Sequence, residues 1–283
     1  MVRFRKILCP VDFYSVSLRA FDYALWLAAQ YESGVHALHV VAPVITAYET
    51  VVAEGVPAKA VKESQRLLER LQKKATKAGI PIATEVRVGD IDDEILRVVE
   101  TKKADLIVMG THGRRAFQRW LLGSVMERMM RHSPVPLLAV GPSRTARNAR
   151  PKIRRILVAT DFSEGFSNAL AYALSIADKC RAAITLLHVV PDLSNEVGPE
   201  FTGPMVTNAR KKLEELVPSH LRASSDFRIL VEVGTPHKVV RETIGSEEPG
   251  LVVMNIHGKG MIDRLILGST AERVVRGASD PCS

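Results

Sequence analysis

The strongest constraint on the fold of this chain is an internal repeat. Residues 7–13 read ILCPVDF and residues 156–162 read ILVATDF, so that in both copies an apolar run of strand length ends at an aspartate. The correspondence continues without a gap through an amphipathic helical pattern into LHVV, at residues 38–41 and 187–190. The chain is therefore predicted to contain two copies of one domain.

The repeat also defines the class of each domain. The middles of the copies differ in length, and the register then returns at two further strand pairs, residues 86–89 with 231–234 and residues 106–109 with 251–254. Alternation of apolar strands with longer helices is typical of a parallel sheet with helices on both faces. We predict domains over residues 1–142 and 153–283, of which the second lacks a fifth strand and exposes a sheet edge.

The composition indicates where the protein is located and which classes of partner it can bind. With 46% hydrophobic and 25% charged residues, the chain has the composition of a globular protein. It contains no apolar run near the ~20 residues that span a bilayer and no signal-peptide pattern, so we expect a cytoplasmic location. Its net charge of +8 suits small anionic ligands, and the dispersed basic residues predict no nucleic-acid partner. The basic run over residues 59–77 is interpreted as the solvated face of an amphipathic helix.

One sequence motif in the first copy indicates a ligand-binding site. Gly-Thr-His-Gly at residues 110–113 follows the fourth strand of the first copy, and nine residues separate it from Gly-Ser at residues 123–124. Glycines at a strand end are expected to adopt positive φ and to let a ligand approach the backbone. Ser124 and Glu127 form a capping-box pattern, which predicts a helix whose free N–H groups attract anions. The sequence therefore predicts a phosphate-binding turn.

These residues resemble the universal stress proteins, whose ATP-binding members carry Gly-x-x-Gly, nine residues, and Gly-Ser or Gly-Thr after the fourth strand. The resemblance extends over nearly the whole chain, twice. It implies two tandem Rossmann-like domains, each an open five-stranded parallel sheet of order three-two-one-four-five. That order reverses between the first and fourth strands, where open α/β sheets bind their ligands. The resemblance therefore implies ATP as the ligand, and leaves open whether magnesium accompanies it.

The resemblance also assigns the site residues. It places Asp12 near the ribose or adenine, the main chain of Val41 on adenine, and the turn glycines with Ser124 on the ribose and phosphates. Arg114 is expected to reach the triphosphate. The complete predicted first site consists of Pro10, Val11, Asp12, Val41, Met109, Gly110, Gly113, Arg114, Gly123, Ser124 and Val125. The equivalent second-domain residues are Thr160, Asp161, Val190, Asn255, Gly258, Gly268, Ser269 and Thr270.

The two sites differ at the first glycine of the motif. Asn255 stands where the first copy has Gly110, and we expect its side chain to intrude into the turn. The second site is therefore expected to be degenerate and to bind ATP more weakly than the first, or not at all.

Three functions follow, in order of support. The leading one is an ATP-binding stress-response or regulatory protein; the alternatives are a nucleotide-independent interaction scaffold and a slow ATPase. No catalytic residue or metal ligand is predicted, since His112 has no nucleophile or orienting carboxylate at a recognisable spacing. His39 and His188 lie in buried strands and are interpreted as structural. The halves are expected to pack as a pseudo-symmetric pair and the chain to self-associate as a dimer, with no membrane partner.

Overall fold

The structure is a computed structural model that describes residues 2–43, 58–112, 122–142, 151, 153–192, 198–222, 226–256 and 268–277. Its internal contacts divide the chain into two compact units. One unit consists of Arg3–Pro151, and the other of Lys152–Ser283 together with Met1–Val2.

The first unit alternates strands and helices, as the repeat predicted. Its strands are β1 Lys6–Pro10, β2 Gly34–Val41, β3 Ile82–Val88, β4 Leu106–Gly110 and β5 Leu137–Val140. Its helices are α1 Ser15–Tyr31, α2 Ala58–Lys77, α3 Ile91–Lys102 and α4 Ser124–His132.

The second unit repeats this order. Its strands are β6 Arg155–Thr160, β7 Ala183–Val190, β8 Phe227–Val233 and β9 Leu251–Met254. Its helices are α5 Phe166–Cys180, α6 Thr202–Leu216, the short α7 Ser219–Arg222, α8 Pro236–Glu247 and α9 Ser269–Gly277, and a 3₁₀ turn at Pro199–Phe201 precedes α6.

All strand pairs in both sheets are parallel. The first sheet has the order β3-β2-β1-β4-β5 and the second the order β8-β7-β6-β9. Ile7 of β1 pairs with Val35 of β2 on one side and with Leu106 of β4 on the other. The predicted sheet order is confirmed, and the described part of the second domain contains four strands, as predicted. Strand β1 is therefore central, with β2 and β4 diverging from it in opposite directions.

Burial follows from this topology. Strand β1 has neighbours on both edges and helices packed on the sheet, so Ile7, Leu8 and Cys9 are fully buried. Met126 and Met129 of α4 are also buried, and they seat that helix on the domain core. Within the described residues, no helix is long and apolar enough to cross a membrane.

Candidate functional site

The candidate site lies where β1 and β4 end side by side. Beyond the last residue of β1, the Val11 N–H donates to the Leu38 carbonyl at 2.8 Å. Beyond the last residue of β4, the Thr111 N–H donates to the Val140 carbonyl at 3.0 Å. Each strand thus stays paired with its outer neighbour for one more residue. A cleft at the carboxyl ends of neighbouring strands with diverging connections is the usual ligand position in an open α/β sheet.

The turn after β1 holds the Asp12 carboxylate in place. Asp12 Oδ1 accepts from the Tyr14 N–H at 3.0 Å and from the Ser17 hydroxyl at 2.5 Å. Ser17 is only 4% exposed, and its Oγ also accepts from the Asp12 N–H at 3.2 Å. Because the bonds from the described residues converge on Oδ1, the half-exposed carboxylate can offer Oδ2 to a hydroxyl donor.

A stacked Phe–His pair supports the same turn. Phe13 adopts φ 66°, a left-handed conformation that is costly for a bulky residue. Its ring lies 4.6 Å from the imidazole of His39, whose Nδ1 lies 2.6 Å from the Val11 carbonyl oxygen. A nitrogen that faces a carbonyl must donate, so Nδ1 carries the proton. Equivalent contacts, at 4.2 and 2.8 Å, occur in the second domain among Phe162, His188 and Thr160. Both strand histidines therefore have structural partners, as interpreted from the sequence.

The hydrogen-bond register turns Val40, and not Val41, toward the cleft. In a parallel strand the N–H and C=O of one residue face the same neighbour, and successive residues alternate sides. The Leu38 carbonyl faces β1, so the main chain of Val40 faces that side as well. The main chain of Val41 faces β3, where its carbonyl accepts from the Gly89 N–H at 3.2 Å. The Val11 carbonyl, which would continue the ladder to Val40, instead binds His39.

Gly110 is needed for helix packing rather than for a special backbone conformation. Its φ is not positive, so the expected positive φ was wrong at this position. A Cβ on Gly110 would lie 3.0 Å from Val16 Cγ1 and 3.1 Å from the Ser17 nitrogen. The first turn of α1 therefore packs directly on the end of β4, which brings the Asp12 turn and the Gly110 turn together.

The start of α4 differs from the predicted capping box. Gly123, with φ −63° and ψ 141°, is the N-cap, and Ser124 is the first helical residue. The Gly123 N–H donates to the Thr111 carbonyl at 3.0 Å, and this bond sets where the helix begins. Glu127 instead pairs with Arg131 at 2.9 Å. The predicted proximity nevertheless holds, because the first turn of α4, with its unpaired N–H groups, is tied to the turn after β4.

No catalytic role was predicted for His112, and its ring has one nitrogen without a hydrogen-bond partner. Its Nδ1 lies 2.7 Å from Thr111 Oγ1. Its Nε2 is buried and has no hydrogen-bond partner. Among the described residues, the other buried side-chain atom without a partner is Asp92 Oδ1. Burial lowers the pKa of His112, so the imidazole is neutral near neutral pH. An unpaired buried nitrogen beside the turn is the type of group that a ligand or an ordered water satisfies.

The remaining predicted residues of the first site have simpler positions. Pro10 is the last residue of β1, and Met109 is 5% exposed, so Met109 can offer only its main chain to a ligand. Val125 is the second residue of α4. Gly113 and Arg114 lie outside the described residues, and so does Gly258 in the second domain.

Comparison with known proteins agrees with this architecture. The model of the universal stress protein family matches residues 3–141 and again residues 152–282. The chain belongs to the universal stress protein family. A universal stress protein of Methanocaldococcus jannaschii is 37% identical over 141 residues, which is 48% of this chain and 82% of that protein. The crystal structure of a universal stress protein from Archaeoglobus fulgidus superposes with a TM-score of 0.70 at 24% identity, covering 97% of this chain and 93% of that one.

A second solved structure is that of a universal stress protein in complex with cAMP. It is 25% identical to this chain, with a TM-score of 0.41, and the match covers 50% of this chain and 100% of that one.

The second universal stress protein domain repeats the turn geometry of the first. The Gly268 N–H donates to the Ile256 carbonyl at 3.0 Å, which places the start of α9, with Ser269 and Thr270, beside the end of β9. Asp161 Oδ1 accepts from the Ser163 N–H at 3.0 Å, and the Val190 carbonyl accepts from the Gly234 N–H at 2.9 Å.

The described contacts of the Asn255 side chain lie at the start of α5. Its Nδ2 donates to Ser163 Oγ at 3.0 Å. The amide also lies over Gly165, so closely that a Cβ on Gly165 would come within 2.4 Å of Nδ2. Residues 257–267 of the phosphate turn lie outside the described residues, so the weaker second site stays a prediction.

Proposed function

We propose that this universal stress protein is an ATP-binding regulatory protein whose first domain holds the nucleotide between the Asp12 turn and the start of α4. The observation that carries this proposal is the bond from the Gly123 N–H to the Thr111 carbonyl, at 3.0 Å. It ties the N-terminal end of α4 to the end of β4, next to β1. An anionic ligand in that cleft meets helix N–H groups and the positive end of the helix dipole.

The chain's own residues fit an adenine nucleotide. Asp12, with Oδ1 engaged by Ser17 and Tyr14, is oriented to accept a ribose hydroxyl on Oδ2. Val40, rather than Val41, presents the N–H and C=O groups that an adenine edge can pair with. His112, two residues after the end of β4, carries a buried Nε2 without a hydrogen-bond partner, which a ligand at this turn could satisfy. ATP supplies the charge and the base that these groups recognise, and magnesium is not required by any side chain named here.

Binding rather than turnover is proposed as the function. Among the described residues, the carboxylate placed at the cleft is that of Asp12, and two hydrogen bonds commit it to holding its own turn. The imidazole of His112 is neutral and buried, with Nδ1 engaged by Thr111. Occupancy alone stabilises a domain by ~2.7 kcal/mol when the free ligand is about a hundred times its Kd. A nucleotide-dependent change in stability of that size is sufficient for a regulatory switch.

Calorimetric titration of the full chain with ATP tests the proposal. Asp12→Ala should weaken first-site binding about tenfold or more, because a ribose hydroxyl loses a charged acceptor. Asp22→Ala is the matched control: that carboxylate pairs with Lys74 on the surface of α1 and should leave ATP affinity unchanged. A wild-type chain that gives no ATP binding would refute the proposal. An Asp12→Ala chain that binds like wild type would move the site elsewhere.

A further inference from the structure

In both domains one residue at the start of the helix after the first strand faces one residue at the end of the fourth strand. The glycine of this pair is on the strand in the first domain and on the helix side in the second. In the first domain Val16, at the start of α1, packs on Gly110 at the end of β4. In the second domain the register of the repeat places Gly165 opposite Asn255. One position of each pair is thus a glycine, and the other carries the side chain that fills the space between helix and strand.

In both pairs a second side chain would have to displace its neighbour. A Cβ on Gly110 would lie 3.0 Å from Val16 Cγ1, and a Cβ on Gly165 would lie 2.6 Å from Asn255 Cγ. Real Cβ atoms do not approach a packed neighbour that closely, and overpacking forces helix and strand apart. Asn255 is therefore accommodated by the absence of a side chain at Gly165.

Asn255 also makes a bond that the first domain lacks. Its Nδ2 donates to Ser163 Oγ at 3.0 Å, and the Ser163 N–H donates to Asp161 Oδ1 at 3.0 Å. The amide thus connects the end of β9 to the turn that carries Asp161. In the first domain this turn is held by Ser17, and the equivalent residue in the second domain is the buried Phe166, which cannot donate to Asp161.

We propose that Asn255 is a positioning residue that acts with Gly165, and that the second domain binds an adenine nucleotide as the first does. The inference rests on the proposed function of the first site. The side-chain bond from Asn255 to Ser163 takes the place of the side-chain bond from Ser17 to Asp12, so the Asp161 turn has a contact from the end of β9 that the first domain lacks. The turn itself is preserved, since Phe162 has φ 60° where Phe13 has φ 66°.

Stoichiometry of ATP binding to the full chain is the first test. We expect about two ATP per chain. One ATP per chain would overturn this inference and leave the first site intact. No binding would overturn both it and the proposed function.

A set of exchange variants is the second test. Gly165→Val alone should remove one binding site, because the new side chain collides with Asn255. Gly165→Val with Asn255→Gly should recover binding at that site, but about tenfold weaker than in the wild type, because the bond to Ser163 is lost. The mirror set in the first domain is the matched control: Gly110→Asn alone should remove one site, and Val16→Gly with Gly110→Asn should restore it.

Two readouts keep the result clear if a single variant fails to fold. Thermal unfolding without ligand is measured for the wild type and for the single and double variants of each pair. The midpoint temperature should recover in each double variant. If the losses in midpoint temperature of the single variants simply add, the two positions are not coupled. Ser163→Ala changes no packing at Gly165 and should weaken the second site about tenfold while leaving the first unchanged. Equal affinity at both sites in Ser163→Ala would refute the positioning role of Asn255.

Discussion

The hydroxyl of Ser17 provides the sharpest test of how the first site is built. Ser17→Ala removes the donor to Asp12 Oδ1 at 2.5 Å and the acceptor of the Asp12 N–H at 3.2 Å, and creates almost no cavity. A hydrogen bond to a charged group contributes about 1.5–3 kcal/mol, and alanine favours the helix by about 0.5 kcal/mol. We therefore expect the free energy of unfolding of the first domain to fall by about 1–2.5 kcal/mol.

The effect on nucleotide binding should exceed what the loss of stability explains. Without Ser17, the Asp12 carboxylate keeps only the Tyr14 N–H at 3.0 Å and can rotate away from the cleft. Loss of one oriented contact, about 1.4 kcal/mol, weakens affinity about tenfold. Calorimetric titration with ATP measures this at a temperature where the variant remains folded.

Ser33→Ala is the matched control for that experiment. Ser33 is a buried serine of the same domain, 1% exposed, and its hydroxyl donates to the Phe4 carbonyl at 2.5 Å, before the start of β1 and away from the site. It should lower stability without changing ATP affinity. If Ser17→Ala and Ser33→Ala lower stability alike and neither changes affinity, the role given to the Asp12 turn is wrong.

Two further predictions concern the stability of the fold. Asp90→Ala should lower the free energy of unfolding by about 1 kcal/mol, because Asp90 caps α3 by accepting from two backbone N–H groups. Thr235→Ala is the control: Thr235 precedes α8 without a side-chain cap bond, so this change should lower the free energy of unfolding by less. Denaturant titration of both variants checks this, and equal losses would contradict it. Burial lowers the pKa of His36 despite the Glu85 carboxylate at 2.9 Å, so the native state binds a proton less readily than the unfolded chain. Stability should therefore be complete above the ordinary histidine pKa of about 6.5 and fall as the pH drops below it, and His36→Gln should reduce that slope; an unchanged slope between pH 7 and 5 would assign it to other groups.

Much of the fold was predictable because the same sequence pattern occurs in both halves of the chain. Two apolar runs ending at Asp12 and Asp161, followed by helices in the same register, predicted the strands and the duplication. The order of the strands, and with it the proximity of the Asp12 turn to the 110–124 motif, was implied by the resemblance to the universal stress proteins. The alternation of strands and helices depends on local periodicity, which a sequence shows directly.

The features that escaped prediction depend on contacts between distant segments. Whether Val40 or Val41 faces the cleft is decided by the bond from Val11 to Leu38, and a slip of one residue reverses the answer. The start of α4 is set by the bond of Gly123 to Thr111, which outweighs the local capping pattern. The direction of Asn255 depends on a glycine far away along the chain. The unpaired nitrogen of His112 left no sequence signal beyond its place in the motif.

A crystal structure of the full chain with a non-hydrolysable ATP analogue tests the central claim most directly. The account predicts the triphosphate against the first turn of α4, with the ribose on Asp12 and the adenine edge on the main chain of Val40. The same arrangement is expected in the second domain against the first turn of α9. A cleft filled by side chains, or an analogue bound away from both helix starts, would contradict the account.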